Sequence, residues 1–354
     1  MKKLAKNITL IISAAKKGGA GVMLAYVANV LSENYHVNFL SIYDEERRPD
    51  LSDKICFKSL KINPCGKFLW RFKAIQKIRK FLIQNNSGIV LCFMSDVSFL
   101  GRIASLGLNI IFISAERNDP YTRSFLGKLT SLITYSLSTR CVFQLEKAMN
   151  FYPKHIRKKS VVIPNPIRKI PNVSWTGKKK KTIVSAGRFV HDKGFDVLIN
   201  AFTLVHALYP EYSLIIYGEG SCMEEYKRLM SEKKITTNVY FPGYINDISN
   251  AIANEGIFVL PSRAEGIPNV LIEALSVGIP TISSDCSPGG PYFLTEGGKN
   301  GLLVPTNDIN ALYEAIVKLI EDSSLAQRLS ERGPNIISKI TPDIINTMWL
   351  NLVK

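Results

Sequence analysis

Short apolar runs alternate along the chain with longer stretches in which apolar residues recur at helical spacing. In the first half, the runs that read as buried strands lie at 7–15, 37–43, 88–93 and 109–114. In the second half, they lie at 182–186, 214–218, 239–244, 256–260, 280–284 and, as a last edge strand, 301–305. Helical patterns fill the intervals between them, for example at 195–208, 308–320 and 323–332. Regular alternation of strand and helix predicts an α/β fold built on parallel sheets.

The chain is long enough, at 354 residues, for two domains with separate cores. The predicted boundary lies at Pro164-Asn165-Pro166, because two prolines around one asparagine make a stiff, extended link. We therefore predict a first domain at 1–165, a second domain at 166–335 and a C-terminal stretch at 336–354.

Charge is distributed unevenly between the two predicted domains. Residues 1–165 contain 26 Lys and Arg against 10 Asp and Glu, a difference of +16, whereas residues 166–354 contain 19 of each. This excess predicts an anionic partner for the first domain only.

A basic amphipathic helix is predicted at 67–84. Its apolar positions at near-helical spacing are Phe68, Phe72, Ile75, Ile78 and Leu82. Its cations are Lys67, Arg71, Lys73, Lys77, Arg79 and Lys80. The apolar stripe packs on a sheet, or the helix lies on anionic lipid headgroups with Trp70 as an interfacial anchor. Both alternatives stay open together, because long cationic side chains can pack by their stems while their heads reach phosphates.

Several classes of protein are disfavoured by what the sequence lacks. No apolar run reaches the ~18 residues of a membrane span, and the run at 8–15 is interpreted as a first strand, not as a signal peptide. The six cysteines form no C-x-x-C pair, which favours a reducing compartment over a zinc site or a disulfide frame. No Asp-x-Asp motif occurs, the nearest match being 44–46, so no metal site is predicted.

The stretch at 262–280 carries the most informative polar residues. Pro268 should prevent an earlier helix start, Asn269 is the expected N-cap, and Gly278 is the expected stop. Glu265 is then expected in the loop before the helix, and Glu273 just over one turn inside it.

This loop-to-helix junction is suited to a phosphate, because it presents backbone N–H groups and the positive end of a helix dipole. The predicted binding segment consists of Gly266, Ile267, Pro268, Asn269 and Val270. Two flanking carboxylates, Glu265 and Glu273, can accept hydrogen bonds from the vicinal hydroxyl groups of a sugar. Phosphate together with diols predicts a nucleotide-sugar; the alternative is a capped helix with two solvated glutamates.

Three further βα loops contain candidate ligand contacts. Arg188 and Lys193 follow the strand at 182–186 and suit a diphosphate, the alternative being a solvated loop. A glycine-rich turn at 16–21, including Gly19, allows a phosphate to approach, although a tight turn without a ligand fits equally well. Glu116 and Asn118 follow the strand at 109–114, where open α/β sheets bind ligands, so we expect both to face a cleft; the alternative is a salt-bridged loop.

The sequence "SRAEGIPNVLIEALSVGIPTISSDC" at 262–286 resembles the Glu–seven residues–Glu signature of the retaining glycosyltransferases of family four. The variant is similar to those that build bacterial surface polysaccharides and polyprenol-linked oligosaccharides. The resemblance implies the GT-B fold, with two doubly wound Rossmann-like domains facing a cleft and the stretch at 336–354 packing back on the first domain. It also implies that the anomeric configuration is retained.

The resemblance assigns expected roles to the candidate residues. Arg188 and Lys193 are expected to hold the donor diphosphate and help it leave, with Glu265 on the sugar and Glu273 on the ribose. Glu116, Asn118 and the Gly19 loop are expected on the acceptor side. The base is expected between two strand ends, near Gly218, Gly243 and Tyr244.

The resulting expectation is a hexosyl or N-acetylhexosaminyl transferase that uses a UDP-sugar and needs no metal or other cofactor. The expected acceptor is a growing or polyprenyl diphosphate-linked saccharide, met on an anionic membrane surface by a cytoplasmic, peripheral enzyme. Three alternatives remain open. They are a GT-B-fold sugar-nucleotide epimerase, a non-catalytic sugar-nucleotide sensor and a basic nucleic-acid binder, although no nucleic-acid partner is predicted.

Overall fold

A computed structural model describes residues 7–14, 18–43, 46, 50–62, 69–167, 170–177 and 180–354. The chain forms two compact units. The N-terminal unit comprises Met1–Asn165 and Asp343–Lys354, and the C-terminal unit comprises Pro166–Pro342. The division falls inside the proline-flanked link.

The N-terminal unit is built on a seven-stranded parallel sheet with the order β3-β2-β1-β4-β5-β6-β7. Its strands are β1 Asn7–Ile12, β2 Val37–Ser41, β3 Cys56–Ser59, β4 Ser87–Phe93, β5 Ile111–Ala115, β6 Arg140–Phe143 and β7 Ser160–Val162. Its helices are α1 Gly18–Ser32, α2 Leu69–Gln84, α3 Ser95–Ala104, α4 Phe125–Leu137, α5 Glu146–Asn150, α6 Lys154–Arg157 and, from the C-terminus, α14 Pro342–Val353.

The two faces of this sheet bury alternate residues of the same strands, as the pleat requires. Ile8, Leu10 and Ile12 of β1 pack with α1 and α14, whereas Ile11 packs on the opposite face with α2 and α3. In α14, Trp349 is fully buried, and its ring centroid lies 6.0 Å from that of Phe93. The final helix is therefore part of the N-terminal core.

The C-terminal unit has a six-stranded parallel sheet with the order β10-β9-β8-β11-β12-β13. Its strands are β8 Thr182–Ala186, β9 Ser213–Tyr217, β10 Val239–Gly243, β11 Ile257–Leu260, β12 Thr281–Ser284 and β13 Leu302–Val304. Its helices are α7 Phe195–Leu208, α8 Met223–Glu232, α9 Ile248–Ile252, α10 Asn269–Val277, α11 Gly290–Leu294, α12 Ile309–Glu321 and α13 Ser323–Arg332, with 3-10 turns at His191–Lys193 and Gly333–Lys339. The predicted α/β class with parallel sheets is confirmed.

Three local expectations need correction. The glycines expected in a turn before the first helix lie in the first turn of α1, while residues 15–17 are outside the described ranges. Asn269 is the first residue of α10, not its cap; Pro268 occupies the cap position, and its fixed φ suits a helix start.

In α2, Ala74, Ile78 and Leu82 are buried, whereas Phe72 is 63% exposed, so Phe72 is not part of the packed stripe. Phe68 and Lys67 lie outside the described residues. No helix within the described ranges is long and apolar enough to cross a bilayer.

Candidate functional site

The C-terminal sheet reverses its winding between two neighbouring strands, β8 and β11. From β8 the chain winds outwards to β9 and β10, and β11 then pairs with the other side of β8. In open α/β sheets, ligands bind beyond the carboxyl ends of the strands at such a reversal. The loops that leave β8 and β11 therefore form the candidate ligand-binding position.

Lys193 and Glu265 meet at this position. Lys193 Nζ forms an ion pair with Glu265 Oε1, which also accepts a hydrogen bond of 2.8 Å from Ser262 Oγ. The two charged side chains are only 19% and 11% exposed. Sequence reasoning placed both residues in a donor site, and the structure brings them into direct contact.

A second ion pair ties the same two loops together. The Arg263 guanidinium donates to Asp196 Oδ1 at 2.8 Å and to Asp196 Oδ2 at 2.6 Å, and also to the His191 carbonyl oxygen at 2.5 Å. In addition, the Arg263 backbone N–H donates to the Asp192 carbonyl oxygen at 2.8 Å. This bidentate geometry is the one in which arginine binds carboxylates most specifically.

The electrostatics of this pair follow from its geometry. Partial burial alone would raise the pKa of Asp196, but the hydrogen bonds and charge of Arg263 hold the pKa of this carboxyl below its ordinary value. The hydrogen bonds to Asp196 raise the pKa of Arg263. Both groups are therefore charged at neutral pH. Sequence reasoning did not single out Arg263 or Asp196. The only available signal was that they follow β11 and β8, two strands that could be neighbours in one sheet.

Gly194 fixes how closely the two loops approach. It adopts φ +65° and is followed by the first residue of α7. A Cβ atom at this position would lie 2.1 Å from the Pro261 carbonyl oxygen. Only glycine fits here, because the conformation is left-handed and the neighbouring atom belongs to the backbone.

The other residues predicted for this site lie on the same edge of the sheet or in α10. Arg188 is exposed in the loop after β8, and its guanidinium makes no hydrogen bond to any other described residue. Glu273 is half-buried in the second turn of α10. Gly266, Asn269 and Val270 are half-buried, whereas Ile267 and Pro268 are buried. The loop is held by the Glu265 N–H, which donates to the Ser287 carbonyl oxygen at 3.0 Å.

The strand ends expected around a base are also joined. The Gly218 N–H donates to the Gly243 carbonyl oxygen at 2.9 Å. At Gly218, with φ +138°, a Cβ atom would lie 1.9 Å from the Gly187 carbonyl oxygen, so the loop after β9 presses directly on the loop after β8. Tyr244 follows β10 and is 71% exposed. An exposed aromatic ring beside packed backbone is an arrangement that can stack a planar base.

In the N-terminal unit, Glu116 does not face a cleft, so that expectation is wrong. Its side chain is 1% exposed and accepts two hydrogen bonds of 2.7 Å from Arg123. The Tyr135 hydroxyl donates at 2.8 Å, and the backbone N–H groups of Arg117 and Asn118 donate at 3.0 and 3.1 Å. The carboxylate is used internally because a buried charge must be paired and hydrogen-bonded.

Burial and the Glu116 charge shift the pKa values of the surrounding side chains. Burial raises the pKa of Tyr135 well above its ordinary value, and the Glu116 charge adds to the rise. Burial is the largest single effect on Arg123 and acts to lower its pKa, but Glu116 and other neighbouring groups together outweigh it and raise that pKa. Burial lowers the pKa of Arg117 to about 9, against the opposing effect of Glu116. The loop after β5 thus exposes Asn118 and keeps the Glu116 carboxylate inside the unit.

Gly19 is exposed in the first turn of α1, and a Cβ atom there would meet nothing within 4 Å. Nothing in the described surroundings therefore requires glycine at this position. Among the described residues, no cluster of three His, Cys, Asp or Glu side chains has the arrangement of a metal site. Asp44 and Glu45 lie outside the described ranges.

The amino-acid sequence is similar to those of known proteins. Residues 167–336 match the family described as glycosyl transferases group 1. An uncharacterized glycosyltransferase of Haemophilus influenzae is 28% identical over 94% of this chain and 94% of its own length. A Campylobacter jejuni enzyme, named as an alpha-1,4-N-acetyl-D-galactosaminyltransferase acting on a diNAcBac-PP-undecaprenol-linked saccharide, is 23% identical over 98% of both chains.

Among solved structures, the Anabaena protein HepE in complex with UDP and glucose superposes with a TM-score of 0.82. The alignment covers 98% of both chains at 17% sequence identity. This likeness identifies the fold as GT-B, in agreement with the expectation from sequence.

Proposed function

We propose that this chain, whose residues 167–336 match the group 1 glycosyl transferases, moves a sugar from a UDP-sugar to a saccharide acceptor. The observation that carries the proposal is the Lys193–Glu265 pair at the β8/β11 reversal. The two charges are partly buried and neutralise each other, and Ser262 adds a hydrogen bond to Glu265. An activated sugar needs a cation beside its diphosphate and an acceptor of hydrogen bonds beside its hydroxyl groups, and this pair supplies both.

The donor diphosphate lies against Lys193 and Arg188 in this proposal. The Lys193 ammonium has three N–H donors, of which the pair with Glu265 uses one. Arg188, exposed in the same loop, adds a planar guanidinium that can bind phosphate oxygens in a bidentate manner. As the glycosidic bond breaks, negative charge develops on the leaving diphosphate, and these fixed cations stabilise it.

The sugar and nucleoside bind on either side of the diphosphate. Glu265 Oε1 receives both Lys193 and Ser262, which leaves Oε2 to accept from a sugar hydroxyl. The backbone of 266–270 binds the sugar and phosphates, and Glu273 accepts from the ribose hydroxyls. The base lies against Tyr244 and the joined backbone of Gly218 and Gly243.

The acceptor is proposed to meet the basic N-terminal unit, near Asn118 and Gly19 in the first turn of α1. We infer a polyprenyl diphosphate-linked saccharide on the cytoplasmic face of an anionic membrane, with retention at the anomeric carbon and no metal requirement. Support comes from the excess of 16 positive charges in residues 1–165 and from the lipid-linked substrate in the name of the Campylobacter relative. Bacterial surface polysaccharide synthesis is the corresponding process, and the transferred sugar is a hexose or an N-acetylhexosamine.

A donor panel tests the proposal directly. Isothermal titration with UDP-, GDP- and ADP-sugars should show binding of a UDP-sugar that weakens by about tenfold or more in Lys193→Met and Arg188→Ala. Lys181→Ala is the matched control, since Lys181 forms an exposed pair with Glu211 near the amino ends of β8 and β9, at the opposite edge of the sheet from the carboxyl ends. Binding of GDP-sugars alone would contradict the donor assignment, and acceptor-independent epimerisation would contradict transfer.

A further inference from the structure

Helix α4 of the N-terminal unit exposes its apolar side chains and buries its polar ones. The exposed side chains are Phe125, Leu126, Leu129, Ile133 and Leu137. The buried side chains are Ser131, Thr134 and Tyr135. An ordinary surface helix of an α/β domain shows the opposite arrangement, with its apolar stripe on the core.

The two sets occupy opposite sides of the helix. At about 100° per residue, the five exposed apolar positions fall within an arc of about 120°, and the three buried polar positions fall within a separate arc of about 100°. Phe125 and Leu126 are 80% and 72% exposed, so the face is open along its first turn. The exposed apolar side chains therefore form one continuous face, which we call the α4 face.

Hydrogen bonds fix this orientation of the helix. The Tyr135 hydroxyl donates to Glu116 Oε2 at 2.8 Å, inside the buried network. The Tyr152 hydroxyl donates to Ser131 Oγ at 3.3 Å, a second link from outside the helix. Within the helix, Thr134 Oγ1 donates to the Thr130 carbonyl oxygen at 2.7 Å and Ser131 Oγ to the Lys128 carbonyl oxygen at 2.9 Å, so these buried hydroxyls are hydrogen-bonded. Turning the helix to bury its apolar side would remove the Tyr135 donor from the buried Glu116 carboxylate, so the exposure is a stable property of the fold.

Cations lie along the α4 face. Residues 121–160 contain eight Lys and Arg and one acidic residue, a difference of +7. Lys128 lies on α4 itself, and exposed Lys147, Lys154, Arg157 and Lys158 lie on or beside α5 and α6. The Tyr121 hydroxyl donates to the Lys147 carbonyl oxygen at 3.1 Å, and Ser136 Oγ lies 2.9 Å from His155 Nε2, so α5 and α6 follow one flank of the helix.

We propose, building on the lipid-linked acceptor of the proposed function, that the α4 face is where the chain lies on an anionic phospholipid surface. An apolar helix face rimmed by Lys and Arg is the pattern by which helices bind in the plane of a charged bilayer interface. A second copy of the chain fits less well, because pairing two such faces would bring +7 against +7. The anionic headgroups attract the same cations that would repel a second copy.

The amphipathic helix α2, which the sequence offered for this role, packs one side on the fold. Its buried residues pack on the sheet with α3. Arg79 donates to the carbonyl oxygens of Ala104 and Leu106 at 3.0 and 2.7 Å, and Lys77 donates to the Leu60 carbonyl oxygen at 2.8 Å. Two of its cations are thus engaged inside the unit. Even so, Leu69 and Phe72 are exposed, which makes α2 a matched control.

Co-sedimentation of the full chain with phosphatidylcholine vesicles, with and without phosphatidylglycerol, tests the proposal. The triple variant Leu126→Gln, Leu129→Gln, Ile133→Gln should bind anionic vesicles about tenfold more weakly or worse, because it removes three side chains that would enter the interface. The control Leu69→Gln, Phe72→Gln should bind like the parent. Binding of the parent should also fall as salt is raised and be weak without phosphatidylglycerol.

Each remaining outcome would overturn the assignment. These outcomes are parent-like binding by the α4 triple variant, loss of binding in the α2 control, or a parent dimer that the α4 variant converts to monomer without any vesicle binding. UDP-sugar titration of the same variants separates this result from the proposed function, because the substitutions are in the other unit from the donor residues. If the parent itself binds no UDP-sugar, the transfer proposal is refuted, and the vesicle result is judged separately.

Discussion

Replacing Arg263 by alanine removes the side chain that ties the loop after β11 to the loop after β8. The guanidinium makes three hydrogen bonds, two of them to a carboxylate, at 2.8, 2.6 and 2.5 Å. Because the paired side chains are 18% and 27% exposed, each bond is taken at about 1 kcal/mol, near the low end for charged partners. We therefore expect Arg263→Ala to lower the free energy of unfolding by about 2–3 kcal/mol.

The same substitution should also lower activity, although the Arg263 guanidinium forms no hydrogen bond with the side chain of Lys193 or Glu265. Releasing the turn at His191–Lys193 lets the Lys193 ammonium move, and a cation displaced by about 1 Å can cost about 100-fold in rate. Arg263→Lys keeps the charge but not the bidentate geometry, so it should recover only part of the loss.

Urea denaturation and steady-state transfer kinetics measure the two effects. Lys181→Ala, which breaks the exposed Lys181–Glu211 pair in the same unit, is the control, and its denaturation curve should overlay that of the parent. The reasoning is refuted if Arg263→Ala unfolds at the parent's urea midpoint and keeps the parent's kcat/KM.

Three further predictions follow from the same contacts. Gly194→Ala should lower the free energy of unfolding by about 2 kcal/mol or more, since the new Cβ would meet the Pro261 carbonyl oxygen. Gly19→Ala should raise the free energy of unfolding by up to about 1 kcal/mol, because Gly19 lies in a helix with open space around it. Equal effects of the two substitutions would contradict the packing. Glu116→Gln should cost about 3 kcal/mol in urea denaturation, because its amide would face Arg123 and Tyr135 donors, and Tyr152→Phe, which removes a bond of 3.4 Å, should cost about 1 kcal/mol. The folded pKa of Asp196 lies below its unfolded value, so the stabilisation from its ion pair is present above about pH 4 and is lost as pH falls through the folded pKa. The difference in unfolding free energy between the parent and Asp196→Asn should therefore shrink in that range. A difference that stays constant with pH would contradict the pairing.

The sequence by itself determined the two-domain α/β organisation and most element positions. Local patterns are sufficient for this, because a strand or helix is specified by the spacing of its own apolar residues. Helix α7 occupies Phe195–Leu208, the range predicted, and the chain divides inside the proline-flanked link. The Glu–seven residues–Glu stretch likewise indicated the loop after β11 and the start of α10, since its residues lie on one loop and one helix.

Only the tertiary structure decided which charges are paired. Arg263 and Asp196 are 67 residues apart, and Lys193 and Glu265 are 72 apart, so each pair exists only because β8 and β11 are neighbours in the sheet. Glu116 followed a strand end as a cleft residue would, yet the positions of Arg123 and Tyr135 make it an internal group. The outward apolar side of α4 was also decided by the tertiary structure. The spacing of its apolar residues would normally place them on the core, but the Glu116 carboxylate beneath the helix requires a polar group on the inner side.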